Sequence, residues 1–367
     1  MNRRGFIAGT GLAATATLAS TLAKPALAQD RTEWKLVTSW PKGMPGLGSS
    51  AERLADRIGK LSGGRLTVKV YAAGELVPAT QCFDAVSKGT AEMGQDSAQY
   101  HTDQAPAAGF FGAVPFGLTG AEFNGWINFG GGQELWEELY DPFGVRPFLS
   151  GNTGVQMGGW YRKEIATLKD FAGLKICMSG YGGEVLRKFG AVPVPLPSGE
   201  IFNNLQSGAI DAAEWVGPYN DLSLGLYKVT KLYYWPGFHE PGSALQCIVN
   251  KAKYNALADD LKQIVAAACA AENDITQAEY YGRSPAALAT LVSEYKVKLM
   301  QYPREVLLAI GTASGETMQE IVDTGNDITK RIGASYFKFR KLALQWNKVG
   351  DAAYASARAM KFDFPQG

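Results

Sequence analysis

A carboxylate and an indole stand side by side at Glu214-Trp215, and a Gly217-Pro218 turn follows at once. The glutamate oxygens, the amide oxygen of Gln156 and the backbone carbonyls of the Glu214-Trp215 turn are hard donors, which suit Na⁺ or Ca²⁺ better than softer transition metals. A cation at such a place could bridge the protein to a ligand carboxylate and cancel charges that are costly to bury. The same residues also admit a plainer reading, a buried glutamate paired with a nearby Arg or Lys, and by themselves they leave both open.

Other chemistry finds little footing. The chain has no G-x-S-x-G, no H-E-x-x-H and no P-loop, the signatures of an activated serine, a zinc protease and a nucleotide phosphate cradle. Ser179-Gly-Tyr-Gly-Gly183 lies between a strand pattern and a helical one, but Val185 stands where a dinucleotide fingerprint needs its third glycine. A glycine-lined helix start can still receive a small anion, or be an ordinary tight turn. Cys82, Cys177, Cys247 and Cys269 form no Cys-x-x-Cys pair; one disulfide is permitted in an oxidising compartment, and spacing does not choose the pairing. With His101 and His239 the only histidines, no histidine-rich metal site is expected.

The elements that must position Glu214 and Gln156 follow from periodicity. Phe202 to Gly208 reads as a helix end with a glycine cap, so 210–215 should be a strand whose last side chains reach a sheet rim, where open α/β sheets hold ligands. Trp34 to Trp40 suits a strand, Leu47, Ala51, Leu54, Ile58 and Leu61 recur at helical spacing, and Leu66, Val68 and Val70 alternate. This β-α-β opening predicts a parallel sheet. An internal echo pairs Phe83 to Met93 with Phe202 to Ala212 at identical spacing. It predicts two similar lobes in which Gln95 and Asp96 correspond to Glu214 and Trp215 and face them across a cleft. Phe148 to Arg162 reads as one strand crossing between lobes, and Gly237 to Gly242 as the return. Two long helical runs, Leu257 to Gly282 and Pro303 to Tyr336, lead to an amphipathic tail whose Leu342, Trp346, Val349 and Tyr354 could pack on the domain or dock on a second subunit. The expected divisions are 29–151 with 243–285 for lobe one, 152–242 with 286–335 for lobe two, and 336–367 for the tail.

Composition is that of a globular protein: 367 residues, 46% hydrophobic, 19% charged, net charge +1. So balanced a charge gives no general pull toward nucleic acid. The first 28 residues differ, with Arg3-Arg4-Gly-Phe6-Ile7, a small apolar run and Ala26-Leu27-Ala28. They read as a twin-arginine export signal with a small-x-small cleavage site, and predict a periplasmic protein.

Ser39-Trp-Pro-Lys42, Ala73 to Pro78, Ala113-Val-Pro-Phe116, Gly151 to Trp160, Gly173-Leu-Lys175 and Glu214 to Tyr219 together resemble the substrate-binding proteins of tripartite ATP-independent periplasmic (TRAP) transporters. The likeness spans nearly the whole chain. Gly151 to Trp160 and Glu214 to Tyr219 look most like the subfamily that binds 2-oxo acids and lactate with a metal ion. The resemblance implies a two-lobe α/β binding protein that closes about a hinge, delivers ligand to membrane permease subunits and performs no turnover. It implies Na⁺ or Ca²⁺ held by Gln156, Glu214, the Trp215 carbonyl and Glu240, and a homodimer formed through a C-terminal helix. The chain departs from the pattern at Cys177, where the family usually carries an arginine that pairs with the substrate carboxylate. A thiol cannot reproduce that bidentate contact. Either the cation alone neutralises the carboxylate, or another base such as Arg162 or Lys42 substitutes, or the ligand is not a simple carboxylate. The expected ligand is a 2-oxo or 2-hydroxy monocarboxylate, with Trp215 and Tyr100 walling it and His101, Cys177 and Arg162 tuning selectivity. A twin-arginine-exported enzyme and a receptor that signals to a sensor are the rival classes.

Overall fold

The computed structural model describes residues 31–365; the export signal read at 1–28 lies outside them. In chain order the strands are Thr32–Thr38 (β1), Leu66–Tyr71 (β2), Met93–Asp96 (β3), Val145–Asn152 (β4), Gly159–Tyr161 (β5), Lys175–Cys177 (β6), Val192–Pro193 (β7), Ala212–Ala213 (β8), Leu232–Trp235 (β9), Ala244–Asn250 (β10) and Lys298–Gln301 (β11). They form two sheets, one ordered β2-β1-β3-β10-β4 and the other β11-β9-β5-β8-β6-β7.

The opening is the expected parallel unit, with Trp34 opposite Val68 and Leu36 opposite Met93. The sheet as a whole is mixed, because β10 arrives from the second lobe and runs antiparallel to both β3 and β4. Buried along nearly its whole length, β10 is apolar on both faces apart from Gln246 rather than alternating, as suits a strand covered on both faces. In the second sheet β5 plays the same part, antiparallel to β8 and β9. Each lobe therefore receives one strand from a segment that crosses between them.

The echo between Phe83 and Phe202 has a structural counterpart. Helices Cys82–Ser87 and Ser198–Ser207 are followed by left-handed glycines, Gly89 at φ 76° and Gly208 at φ 80°. Glycine is the residue that takes this conformation without strain. β3 and β8 follow, each flanked by a parallel strand and by the crossing antiparallel one. The correspondence stops at the side chains. Gln95 donates to Ser50 and Ser150, and Asp96 accepts from Gln246 and pairs with His101; both are wholly buried inside lobe one and do not face Glu214.

Phe148 to Arg162 is two strands, not the single one expected, because Gly154 (φ 68°) and Gly159 (φ 103°) turn the chain between β4 and β5. The return from β9 to β10 runs beside this crossing and is bonded to it: Thr153 N–H donates to the Ser243 carbonyl at 3.0 Å, Gln156 N–H to that of Glu240 at 3.2 Å, and Gly237 N–H to that of Gln156 at 3.0 Å. A third connection is the helix Asp259–Ser293, 35 residues long and so roughly 50 Å from end to end. Its Leu261, Val265 and Cys269 pack with Trp34 and Leu36 of the first lobe, whereas Leu291 packs with Trp160 and Ile210 of the second. The division expected at 285/286 falls inside this helix, which continues past Gly282 and through Pro285.

Helix Arg304–Thr324 covers the second lobe through Val306 and Ile310. The next helix, Asp327–Asn347, starts where the Asn326 side chain accepts from Thr329 N–H. It returns to lobe one, where Ile332 and Tyr336 join Phe110 and Trp126. Ile332, within the 286–335 expected for lobe two, is thus buried in the first core. Beyond it, Asp351–Arg358 buries none of its residues. No helix among the described residues is long and apolar enough to cross a membrane.

Candidate functional site

β6 and β8 are parallel neighbours: Cys177 pairs with Ala213, and Glu214 N–H donates to the Cys177 carbonyl at 2.9 Å. Their carboxyl ends bring the Cys177 and Glu214 side chains to one rim, the place such sheets offer ligands. The two crossing segments bring Gln156 and Glu240 to the same rim, held together by their backbone bond. The rim bounds a cavity of ≈ 740 Å³ between the lobes, also lined by Trp40, Tyr100, His101 and Trp215.

Its electrostatics are unusual. Glu214 is 5% exposed and Glu240 4%. Burial, with the nearby Asp221, raises the Glu214 carboxyl well above its ordinary range; burial and the Glu214 charge raise that of Glu240 to about 7. Burial also lowers the His239 imidazole to about 4, against the opposing pull of Glu240. In neutral solution His239 is therefore an uncharged imidazole able to donate a lone pair. His239 Nε2 stands 3.1 Å from Glu214 Oε1, yet neither atom has a hydrogen-bond partner. Ligating atoms of Glu214, His239 and Glu240 lie within 4.8 Å of one another. Gln156 adds a further acceptor. Its Nε2 donates to Thr153 Oγ1 at 3.0 Å, while its Oε1 is buried and unpartnered. Buried acceptors without donors are costly. Unpartnered oxygens from Gln156 and Glu214 beside a second carboxylate form a donor set that fits a hard cation.

Of the other residues singled out in the sequence, Tyr100 approaches the cavity from lobe one and Trp215 from lobe two. His101 also lines it, but its Nε2 is held by Asp96 Oδ2 at 2.7 Å. Burial pushes the Cys177 thiol up to about 12, so it is neutral. Arg162 lies elsewhere, donating from Nη1 to the Leu205 carbonyl at 3.2 Å, and Lys42 lines a different, smaller pocket. Among the lining residues Arg187 alone carries a permanent positive charge. It is 55% exposed and paired with Glu184. Helix Gly180–Arg187 begins at the cavity wall, but Tyr181 turns into lobe one, where its hydroxyl donates to the Pro106 carbonyl at 2.6 Å. His239 is the residue sequence reasoning missed. Two histidines were too few for a histidine-rich site, and the usable signal was adjacency to Glu240.

A family model described as bacterial extracellular solute-binding protein, family 7, matches residues 36–324. The chain belongs to this family. Its likeness to individual members is broad. It is 38% identical over 322 residues to the monocarboxylate 2-oxoacid-binding periplasmic protein of Nostoc sp., covering 88% of this chain and 87% of the relative. A TRAP transporter solute-binding protein from Bordetella bronchiseptica, a mixed-occupancy dimer with calcium and picolinate, is 37% identical with a TM-score of 0.87 over 90% of this chain and 99% of that one. Another from Pseudoalteromonas atlantica, with sodium and pyruvate, is 36% identical with a TM-score of 0.87 over 90% and 100%. The fold is thus the two-lobe architecture of family 7 solute receptors.

Proposed function

We propose that this family 7 protein is the periplasmic receptor of a TRAP transporter and binds a small 2-oxo or 2-hydroxy monocarboxylate through a bound Na⁺ or Ca²⁺. The observation that carries this reading is the pair of buried, unpartnered oxygens, Gln156 Oε1 and Glu214 Oε1, lining the same cavity as Glu240. Gln156, Glu214, Glu240 and the Trp215 carbonyl would hold the cation, with His239 in reach as a neutral donor. When bound, the cation supplies positive charge to a site whose inner wall has no Arg or Lys, and so permits a ligand carboxylate to leave water. Trp215 and Tyr100 shape the site from opposite lobes, and ligand contacts made to both favour the closed arrangement. No catalytic step is assigned, because the unpartnered groups converge on a carboxylate site and not on a nucleophile with its base.

The receptor would be exported by the twin-arginine route, meet permease subunits in the membrane, and pair with a second copy through its C-terminal helices. Leu342, Trp346, Val349 and Tyr354 are all more than half exposed, an apolar run that a partner copy would cover. Removal of residues 348–367 should convert such a dimer to monomer in light scattering, and an unchanged mass would refute the pairing. The ligand reading is tested by thermal-shift screening of metal-stripped protein against small acids with and without Ca²⁺ or Na⁺. A bound acid raises the midpoint by mass action. Midpoints moved only by neutral or cationic compounds would overturn the carboxylate assignment.

A further inference from the structure

The cavity has a second wall that the cation and carboxylate do not use. Cys177 is 3% exposed and its sulfur is turned to the Leu196 backbone. Cys177, Leu196 and Trp215 belong to one apolar cluster. Pro193, Pro195 and Pro197 continue this wall along the cavity. Prolines fix the backbone and present no N–H, so the segment is stiff and its prolines give a second carboxylate no donor, while the intervening Val194 N–H is taken by the Ile176 carbonyl. Arg187, the nearby cation, is solvated at the rim and engaged by Glu184. A cavity of ≈ 740 Å³ also exceeds what a three-carbon acid fills.

Resting on the receptor function proposed above, we infer that the ligand is a 2-oxo monocarboxylate with a branched or aromatic apolar tail, its head at Glu214 and Gln156 and its tail against Cys177, Leu196 and the proline segment. Cys177 then acts as a specificity-determining residue. A short neutral thiol leaves room beside the cation site and offers no charge to reward a polar tail. Dicarboxylates are disfavoured, because their second carboxylate would be desolvated against Cys177, Leu196 and the prolines with no cation to meet it.

Calorimetry on calcium-loaded protein with pyruvate, 4-methyl-2-oxopentanoate and 2-oxoglutarate tests this. Each methylene buried in an apolar pocket strengthens binding by about fourfold or more, so 4-methyl-2-oxopentanoate should bind at least about tenfold tighter than pyruvate, with 2-oxoglutarate weakest. Cys177→Leu, which fills part of the subsite, should shrink the ratio between the first two. Leu196→Asn should shrink it as well, which guards against a folding defect at 177. Pyruvate binding as tightly as the branched acid overturns the tail assignment and leaves the receptor function standing. Binding of no 2-oxo acid under any cation overturns both.

Discussion

The side-chain amide of Asn220 donates to the carbonyl of Pro45 at 2.7 Å, joining the second lobe to a first-lobe loop. Asn220 lies five residues after Trp215, and Pro45 lies between Trp40 and Leu47, which pack with Val216 and Tyr280 in a small apolar cluster. A bond between the lobes favours the arrangement in which they are together. Asn220→Ala should weaken ligand binding by roughly fivefold, the worth of about 1 kcal/mol for one hydrogen bond, without altering the dependence on cation. Calorimetry in parallel calcium and ligand titrations separates the two effects.

Glu214→Gln should abolish the cation dependence of ligand binding. The substitution keeps the shape of the side chain and removes the charge that a hard cation requires. Ligand titrations with and without Ca²⁺ should give superimposable curves for the variant. Retained dependence would remove Glu214 from the ligand set.

Tyr181 is the contact on the other side of the cavity. A Cβ on Gly109 would stand 2.4 Å from its ring, closer than any real contact. Gly109→Ala should therefore lower the thermal midpoint, consistent with the roughly 1–3 kcal/mol typical of overpacking. Tyr181→Phe, which loses only the bond to the Pro106 carbonyl, should cost less than Gly109→Ala in the same melt.

Asp221 is buried beneath the site and accepts from Trp160 Nε1 at 2.9 Å and from the Tyr233 hydroxyl at 2.7 Å. Burial raises its carboxyl to about 6, against these bonds, from an ordinary value near 3.8. A folded value above the unfolded one means that its contribution to stability is fully present below about 3.8 and lost as pH rises through about 6. The stability difference between the parent protein and Asp221→Asn should therefore shift by roughly 2 kcal/mol between pH 4 and pH 7, in favour of the variant at the higher pH. Urea denaturation at the two pH values measures it.

Much of the fold was legible in the chain because its signals are local. Helical spacing from Leu47 to Leu61 and alternation from Leu66 to Val70 needed no knowledge of partners. The Gly89 and Gly208 turns marked equivalent strands. The site was legible where donor chemistry and turn geometry coincide, at Gln156 and Glu214. What escaped was non-local. Burial fixed His239 as a neutral donor, and the sequence carries no burial. Arg162 looked usable as a base because it closes the β5 segment, but its guanidinium is bonded to the Leu205 carbonyl and is not part of the cavity wall. Ile332 was grouped with the second lobe by position, yet it is buried in the same core as Trp126 and Phe110 of the first.

The chain passes between the lobes four times, at 153–158, at 236–243, along the helix Asp259–Ser293 and at 325–326. A protease that cut beside Val155, which is 58% exposed, would leave the halves tethered by the other three. The nicked molecule would keep its sheets in register and travel as one particle in native separation, dividing into two fragments only under denaturing conditions.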